Sequence, residues 1–188
     1  MKKTTLWILA IVLGIGVVRS QEKQNDATWE ETVSFFNKYK NYMKIWQCYL
    51  QGSDALKAEI ADVKYLKCLG DRKVYMRSDT LFVTYKDRAF ISFEEIEGRT
   101  IIRIPLKRLK AVDVSDKNPN VLVFHVENYS GIYNLYDAEG TVLIMEEVPH
   151  YPLYVPDNEM LSRFLKAGVH LAYLAKQERG ERDPEDKF

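Results

Sequence analysis

The chain has 188 residues, 46% of them hydrophobic and 29% charged, with 27 basic against 27 acidic side chains and a formal net charge of zero. That balance favours neither a nucleic acid nor an anionic membrane surface as a partner. The length suits one domain of ordinary size, able to bury a core without a metal or many disulfides.

Lys2 and Lys3 precede an apolar run from Leu6 to Val18, and Val18-Arg19-Ser20 has the small-residue character of a signal-peptidase site before Gln21. The run is short for a membrane span, so residues 1–20 are expected to be a cleaved signal peptide rather than an uncleaved anchor. No Cys follows to carry a lipid, and no stable membrane anchor is expected after cleavage. The remainder is expected to be exported, periplasmic or secreted. Without Lys2, Lys3 and Arg19 it carries 24 basic against 27 acidic residues, a net charge of about −3.

Residues 21–27 are polar and read as a tether, followed by an N-terminal helical segment over 28–63. Thr28-Trp29-Glu30-Glu31 has the form of a capping box, in which hydroxyl and carboxylate each accept from the other residue's backbone N–H. From Trp29, the residues Phe35, Phe36, Tyr39, Tyr42, Met43, Trp46, Tyr49 and Leu50 share one side of a helical wheel, predicting a single helix with an aromatic face. Gly52-Ser53-Asp54 breaks it and can cap a shorter helix to about Val63, although Val63, Tyr65 and Leu66 fit a first strand equally well. Cys48 and Cys68 are the two cysteines; in an oxidising compartment they form either a disulfide or two separate buried thiols.

From Lys73 the apolar period becomes two. Strands are predicted over 74–77, 81–85, 89–94, 100–105, 110–114, 121–127, 132–136, 142–146 and 151–155. Ser78-Asp79, Glu97-Gly98, Lys117-Asn118-Pro119-Asn120, Ser130-Gly131 and Glu139-Gly140 supply turn chemistry between them, and Gly70-Asp71 closes the ambiguous region before. Such short spacing implies antiparallel neighbours. Pro105 cannot donate to a ladder, so it marks an edge, a bend or a crossing between sheets. After Pro156, Asp157 is a suitable N-cap, and Leu161, Phe164, Leu165, Gly168, Leu171, Ala172 and Ala175 predict an amphipathic helix to Lys176 that closes over the strands. Residues 178–188 are nearly all charged and read as a disordered tail.

The predicted class is α+β: a strongly bent antiparallel sheet or partly open β-barrel over 64–177, with the N-terminal amphipathic helix and the C-terminal capping helix. The meander, the segment Ile104-Pro105-Leu106-Lys107-Arg108-Leu109 leading into Val112 to Val114, and the closing helix resemble the pleckstrin-homology-like fold, as in small exported bacterial proteins. An eight-stranded lipocalin-like barrel is the nearest alternative. The resemblance implies a binding or scaffolding module. Phosphoinositide-binding members of that family use a basic cluster near the first two strands; Lys64, Lys67, Arg72, Lys73 and Arg77 lie there, but Asp62, Asp71 and Asp79 dilute them, which reads as a solvated face.

No nucleophile elbow, phosphate-cradling Gly-rich loop or paired-His helix is present. His125 lies in a predicted strand and points away from the face used by Phe124 and Val126. His170 borders the apolar stripe of the closing helix, and His150 has Glu146 and Glu147 nearby without a matching local ligand. No metal or other cofactor is expected. The segment Pro149-His150-Tyr151-Pro152-Leu153-Tyr154-Val155-Pro156 is held extended by three prolines and offers amphipathic rings. His150, Tyr151 and Tyr154, with Tyr133 and Tyr136, are therefore candidate contacts for an envelope or extracellular protein or a small ligand. The competing structural reading is an ordered connection lying across the sheet. The alternative function, an exported hydrolase or metal-dependent enzyme, requires His125 or His150 to converge with acidic side chains in a concave pocket.

Overall fold

The computed structural model describes residues 26–46, 66–91 and 94–181. Helix α1 (Trp29–Lys38) begins with the expected capping box: Thr28 Oγ1 accepts from the Glu31 N–H at 3.2 Å, and the Glu31 carboxylate accepts from the Thr28 N–H at 2.8 Å. The helix stops at Lys38, which corrects the expectation of one aromatic helix to Leu50. A 3-10 turn over Lys40–Tyr42 follows, then an extended Met43 and strand β1 (Lys44–Ile45). Met43 and Ile45 are buried while Tyr42 and Lys44 are exposed, so the period here is two, and these side chains reach the core from a strand. The predicted second helix and Cys48 lie outside the described residues, so the cysteine pairing does too.

The remaining strands are β2 (Leu66–Arg77), β3 (Thr80–Ile91), β4 (Glu94–Pro105), β5 (Leu109–Val114), β6 (Val121–Val126), β7 (Gly131–Tyr136), β8 (Val142–Val148) and β9 (His150–Tyr154). They form two antiparallel sheets, ordered β2-β3-β4-β7-β8 and β1-β9-β6-β5, and neither closes on itself. The α+β class and the antiparallel pairing are as expected, but two open sheets stand where one bent sheet or a partly open barrel was predicted. One of the crossings between them occurs at Pro105. It pairs with Thr80 at the end of β4, and the 3-10 turn Leu106–Arg108 then carries the chain into β5 of the other sheet.

Three predicted breaks are absent. Residues 81–85 and 89–94 belong largely to one long strand, because Asp87 in the charged triplet Lys86-Asp87-Arg88 is buried rather than turned to solvent. Glu97-Gly98 is not a turn but lies inside β4, with Gly98 opposite Asp87. A Cβ at Gly98 would sit 2.3 Å from the Tyr136 carbonyl oxygen, so the glycine admits the close approach of β7. Gly70-Asp71 likewise does not end its strand: β2 passes through with a register shift, and Asp71 takes a φ of 49°.

The closing helix α2 (Asn158–Glu178) starts where Asp157 Oδ1 accepts from the Met160 N–H at 2.9 Å. It buries Leu161, Phe164, Gly168, Leu171, Ala172 and Ala175 and lies on β5. Phe36 stacks on Phe164 with ring centroids 5.3 Å apart and meets Phe124 edge-on at 6.0 Å, joining both helices to the four-stranded sheet. Asn37 turns from α1 to the edge of β2, donating from Nδ2 to the Met76 carbonyl at 2.7 Å and accepting the Met76 N–H at 2.8 Å. Arg179, the start of the charged stretch, is ordered: it donates to the carbonyls of Lys107 and Leu109 and pairs with Glu127 at 3.4 Å. Residues 182–188 lie outside the described residues.

Candidate functional site

The sequence-predicted contacts do not form one surface. The proline-tyrosine segment is strand β9, inside the four-stranded sheet between β1 and β6. The register of β1 ends at Leu153, one residue short of Pro152, so that proline costs no bond on the β1 side. Alternation along β9 then separates the candidates. Tyr151 is buried in the core, Tyr154 is half-buried at the mouth of a cleft, and His150 is exposed on the outer face. Tyr133 is also buried, whereas the Tyr136 hydroxyl accepts from Arg103 at 3.2 Å near the end of the five-stranded sheet.

Tyr133 and Tyr151 belong to a polar cluster between the two sheets. The Thr100 hydroxyl donates to Asp87 Oδ2 at 2.5 Å and lies 3.4 Å from the Tyr133 hydroxyl. Asp87 Oδ1 and the Tyr85 hydroxyl are buried without a hydrogen-bond partner. Burial raises the pKa of Asp87, against the opposing effect of the Thr100 bond. It also raises Tyr85 and Tyr133 well above the usual phenol range, Tyr85 further through the proximity of Tyr151, Tyr133 and Asp87. A cavity of about 680 Å³ reaches Asp87 from the end of the sheet, with Lys86, Glu97, Arg99, Tyr136 and Asp137 in its wall. Its charges are mixed, and the only buried acid at its floor has no histidine beside it.

The second cavity has a simpler chemistry. It is a cleft of about 760 Å³ between the 3-10 turn and β1 on one side and β2 on the other, with Tyr154 and Pro156 at its end. Lys40, Lys44, Arg72 and Lys73 contribute four cationic side chains, Asn41 an amide, Tyr75 and Tyr154 two rings, and Met43, Ile45 and Val74 an apolar floor. No acidic side chain is among its described lining residues. The helix break at Lys38 creates this site, because a continuous helix would carry Lys40 and Lys44 away from β2. Tyr154 was anticipated from the sequence and Arg72 and Lys73 were noticed, but Lys40, Asn41, Lys44 and Tyr75 were missed. The available signal was that Asn41 and Lys44 fall outside the aromatic half of the wheel.

His170 is buried and its Nε2 donates to the Ala27 carbonyl at 2.7 Å, a structural role. His125 approaches His150 on one side and Asp113 on the other, but none of the three is among the described lining residues of these cavities. Among the described residues no three His, Cys, Asp or Glu side chains form a complete metal-ligand set. Comparison with known proteins gives no significant match to a family model, a curated protein or a solved structure.

Proposed function

We propose that the chain is an exported, non-catalytic binding module, an open variant of the pleckstrin-homology-like architecture, whose ligand carries negative charge. The ligand is a small anion or an acidic segment of an envelope or extracellular partner protein. The observation that carries this reading is the cleft with Lys40, Lys44, Arg72 and Lys73 and no described acidic wall, in a chain whose net charge is zero. Lys40, Lys44 and Lys73 present like charges over an apolar floor, and an anion reduces their mutual repulsion. The two tyrosine rings add surface for an apolar or planar portion of the ligand. An enzymatic reading receives less support, since neither cavity combines a histidine with a carboxylate among its described lining residues.

The test is a calorimetric titration of the purified protein with pyrophosphate and, separately, with an oligoglutamate peptide. Binding should weaken with added salt, and the double variant Lys40→Glu, Lys73→Glu should lose affinity by at least about tenfold, the equivalent of roughly 1.4 kcal/mol. Because both residues are exposed, the variant should keep the thermal midpoint of the parent. No binding of either probe, or equal binding by the charge-reversed variant, would overturn the proposal.

A further inference from the structure

The sheet register brings together two histidines that are 25 positions apart in the chain. His125 on β6 is directly opposite His150 on β9. The neighbouring pair, Val126 and Pro149, carries a ladder bond from the Val126 N–H to the Pro149 carbonyl at 2.8 Å. Alternation then makes His125 and His150 a non-hydrogen-bonded pair, the kind whose side chains stand closest. Their ring centroids are 5.8 Å apart with the planes inclined by 42°. On the far side, His125 Nε2 lies 3.1 Å from Asp113 Oδ1 on β5, so carboxylate, imidazole and imidazole form a row across three strands.

We infer that this row is a binding site for a late first-row divalent cation such as Cu²⁺, Ni²⁺ or Zn²⁺, with His125 and His150 as its two protein ligands. Imidazole is the preferred nitrogen ligand of these ions. A metal about 2.05 Å from each ligating nitrogen lies about 3.2 Å from each ring centroid, which puts tetrahedrally disposed imidazoles about 5.2 Å apart. The observed separation of 5.8 Å exceeds this by about 0.6 Å, a difference within the reach of side-chain rotation. Asp113 is the positioning residue. By accepting the Nε2–H of neutral His125 it fixes the tautomer and leaves the lone pair on Nδ1, the arrangement of a carboxylate–histidine–metal triad. Among the described residues no third ligand is grouped with the two histidines, so the remaining coordination positions would be taken by water or by a group from a bound molecule. This inference is independent of the basic cleft.

The experiment is titration of the purified full chain with CuCl₂ and ZnCl₂ at neutral pH, followed by calorimetry and by the histidine ring resonances for the diamagnetic ion. One equivalent should bind, with shifts confined to His125 and His150 and not His170. His125→Ala and His150→Ala should each weaken binding by at least about tenfold, and Asp113→Asn, which leaves both ligands, should weaken it by about tenfold, the lower end expected for an outer-shell partner. His125 and Asp113 are 36% and 57% exposed in their side chains, so these variants should fold, which circular dichroism checks. Failure to bind at millimolar metal, or one-equivalent binding that survives the double His125→Ala, His150→Ala change, overturns the site. Unchanged affinity in Asp113→Asn overturns the role of the carboxylate.

Discussion

Gly168→Ala sets a local preference against a packing constraint. Within a helix, alanine is favoured over glycine by about 1 kcal/mol, so an unhindered site would be stabilised. Here the new Cβ would lie 2.7 Å from Val112 Cγ1, 3.0 Å from Val112 Cβ and 3.2 Å from Val112 Cγ2. Rotating the valine about χ1 exchanges its methyl groups but leaves its Cβ in place, so α2 must lift off β5. Overpacking of this kind costs about 1–3 kcal/mol and also loosens neighbouring contacts such as those of Phe164 and Leu171. The expected net effect is a destabilisation of about 0–2 kcal/mol, a fall of up to about 8 °C in the thermal midpoint for a domain of this size. Chemical denaturation of the parent, Gly168→Ala, Val112→Ala and the double variant completes the assay. Removing the valine methyls relieves part of the clash, so the double variant should be more stable than the sum of the single effects by about 1 kcal/mol. A Gly168→Ala protein more stable than the parent by about 1 kcal/mol, the full helix preference for alanine, would refute the close helix-on-strand contact.

Other perturbations test the core and its polar cluster. Phe36→Ala removes a fully buried ring between Phe164 and Phe124 and should cost about 3–5 kcal/mol in denaturant unfolding; a loss below about 1 kcal/mol would contradict that packing. For Asp87, the folded pKa is raised, so the folded state holds its proton over a range in which the unfolded state has released it. This contribution to stability is complete below the ordinary carboxylate pKa and is lost as pH rises through the raised value. Asp87→Asn removes that loss, so its stability relative to the parent should increase from pH 3.5 to pH 7, measured by urea unfolding at both. An unchanged or reversed difference would show that Asp87 is not buried as described.

Local chemistry in the sequence was enough to place the ends of several elements. The Thr28 and Glu31 box, the Asp157 cap and the Ser78-Asp79 turn each act within a few residues and need no tertiary partner to be recognised. Pro105 was equally legible, because a missing donor constrains a ladder wherever it falls. The break after Lys38 was not, since Tyr42, Met43 and Trp46 all fit the helical wheel and only pairing with β9 sets the alternation that buries Ile45. Asp87 was hidden for the opposite reason: a charged triplet ordinarily faces water, and its inward position depends on the register that sets it against Gly98. The candidate sites were the least legible part. Lys40 and Lys44 meet Arg72 and Lys73, and His125 meets His150, only through the way the two sheets are assembled, and alternation along β9 divides residues that are adjacent in sequence.

The Asn37 amide has a consequence beyond holding α1 in place. It occupies both backbone groups of Met76 on the outer side of β2, the same N–H and carbonyl that an added strand would use. At the opposite end of that sheet, β8 exposes Leu143 and Met145, at 36% and 72%, and no described element pairs with its outer edge. Edge-to-edge growth of a fibre requires every copy to accept a strand on both sides. With Met76 so occupied, strand addition is blocked at that point of β2, so growth through this sheet is hindered on one side, while β8 stays without a described partner on its outer edge.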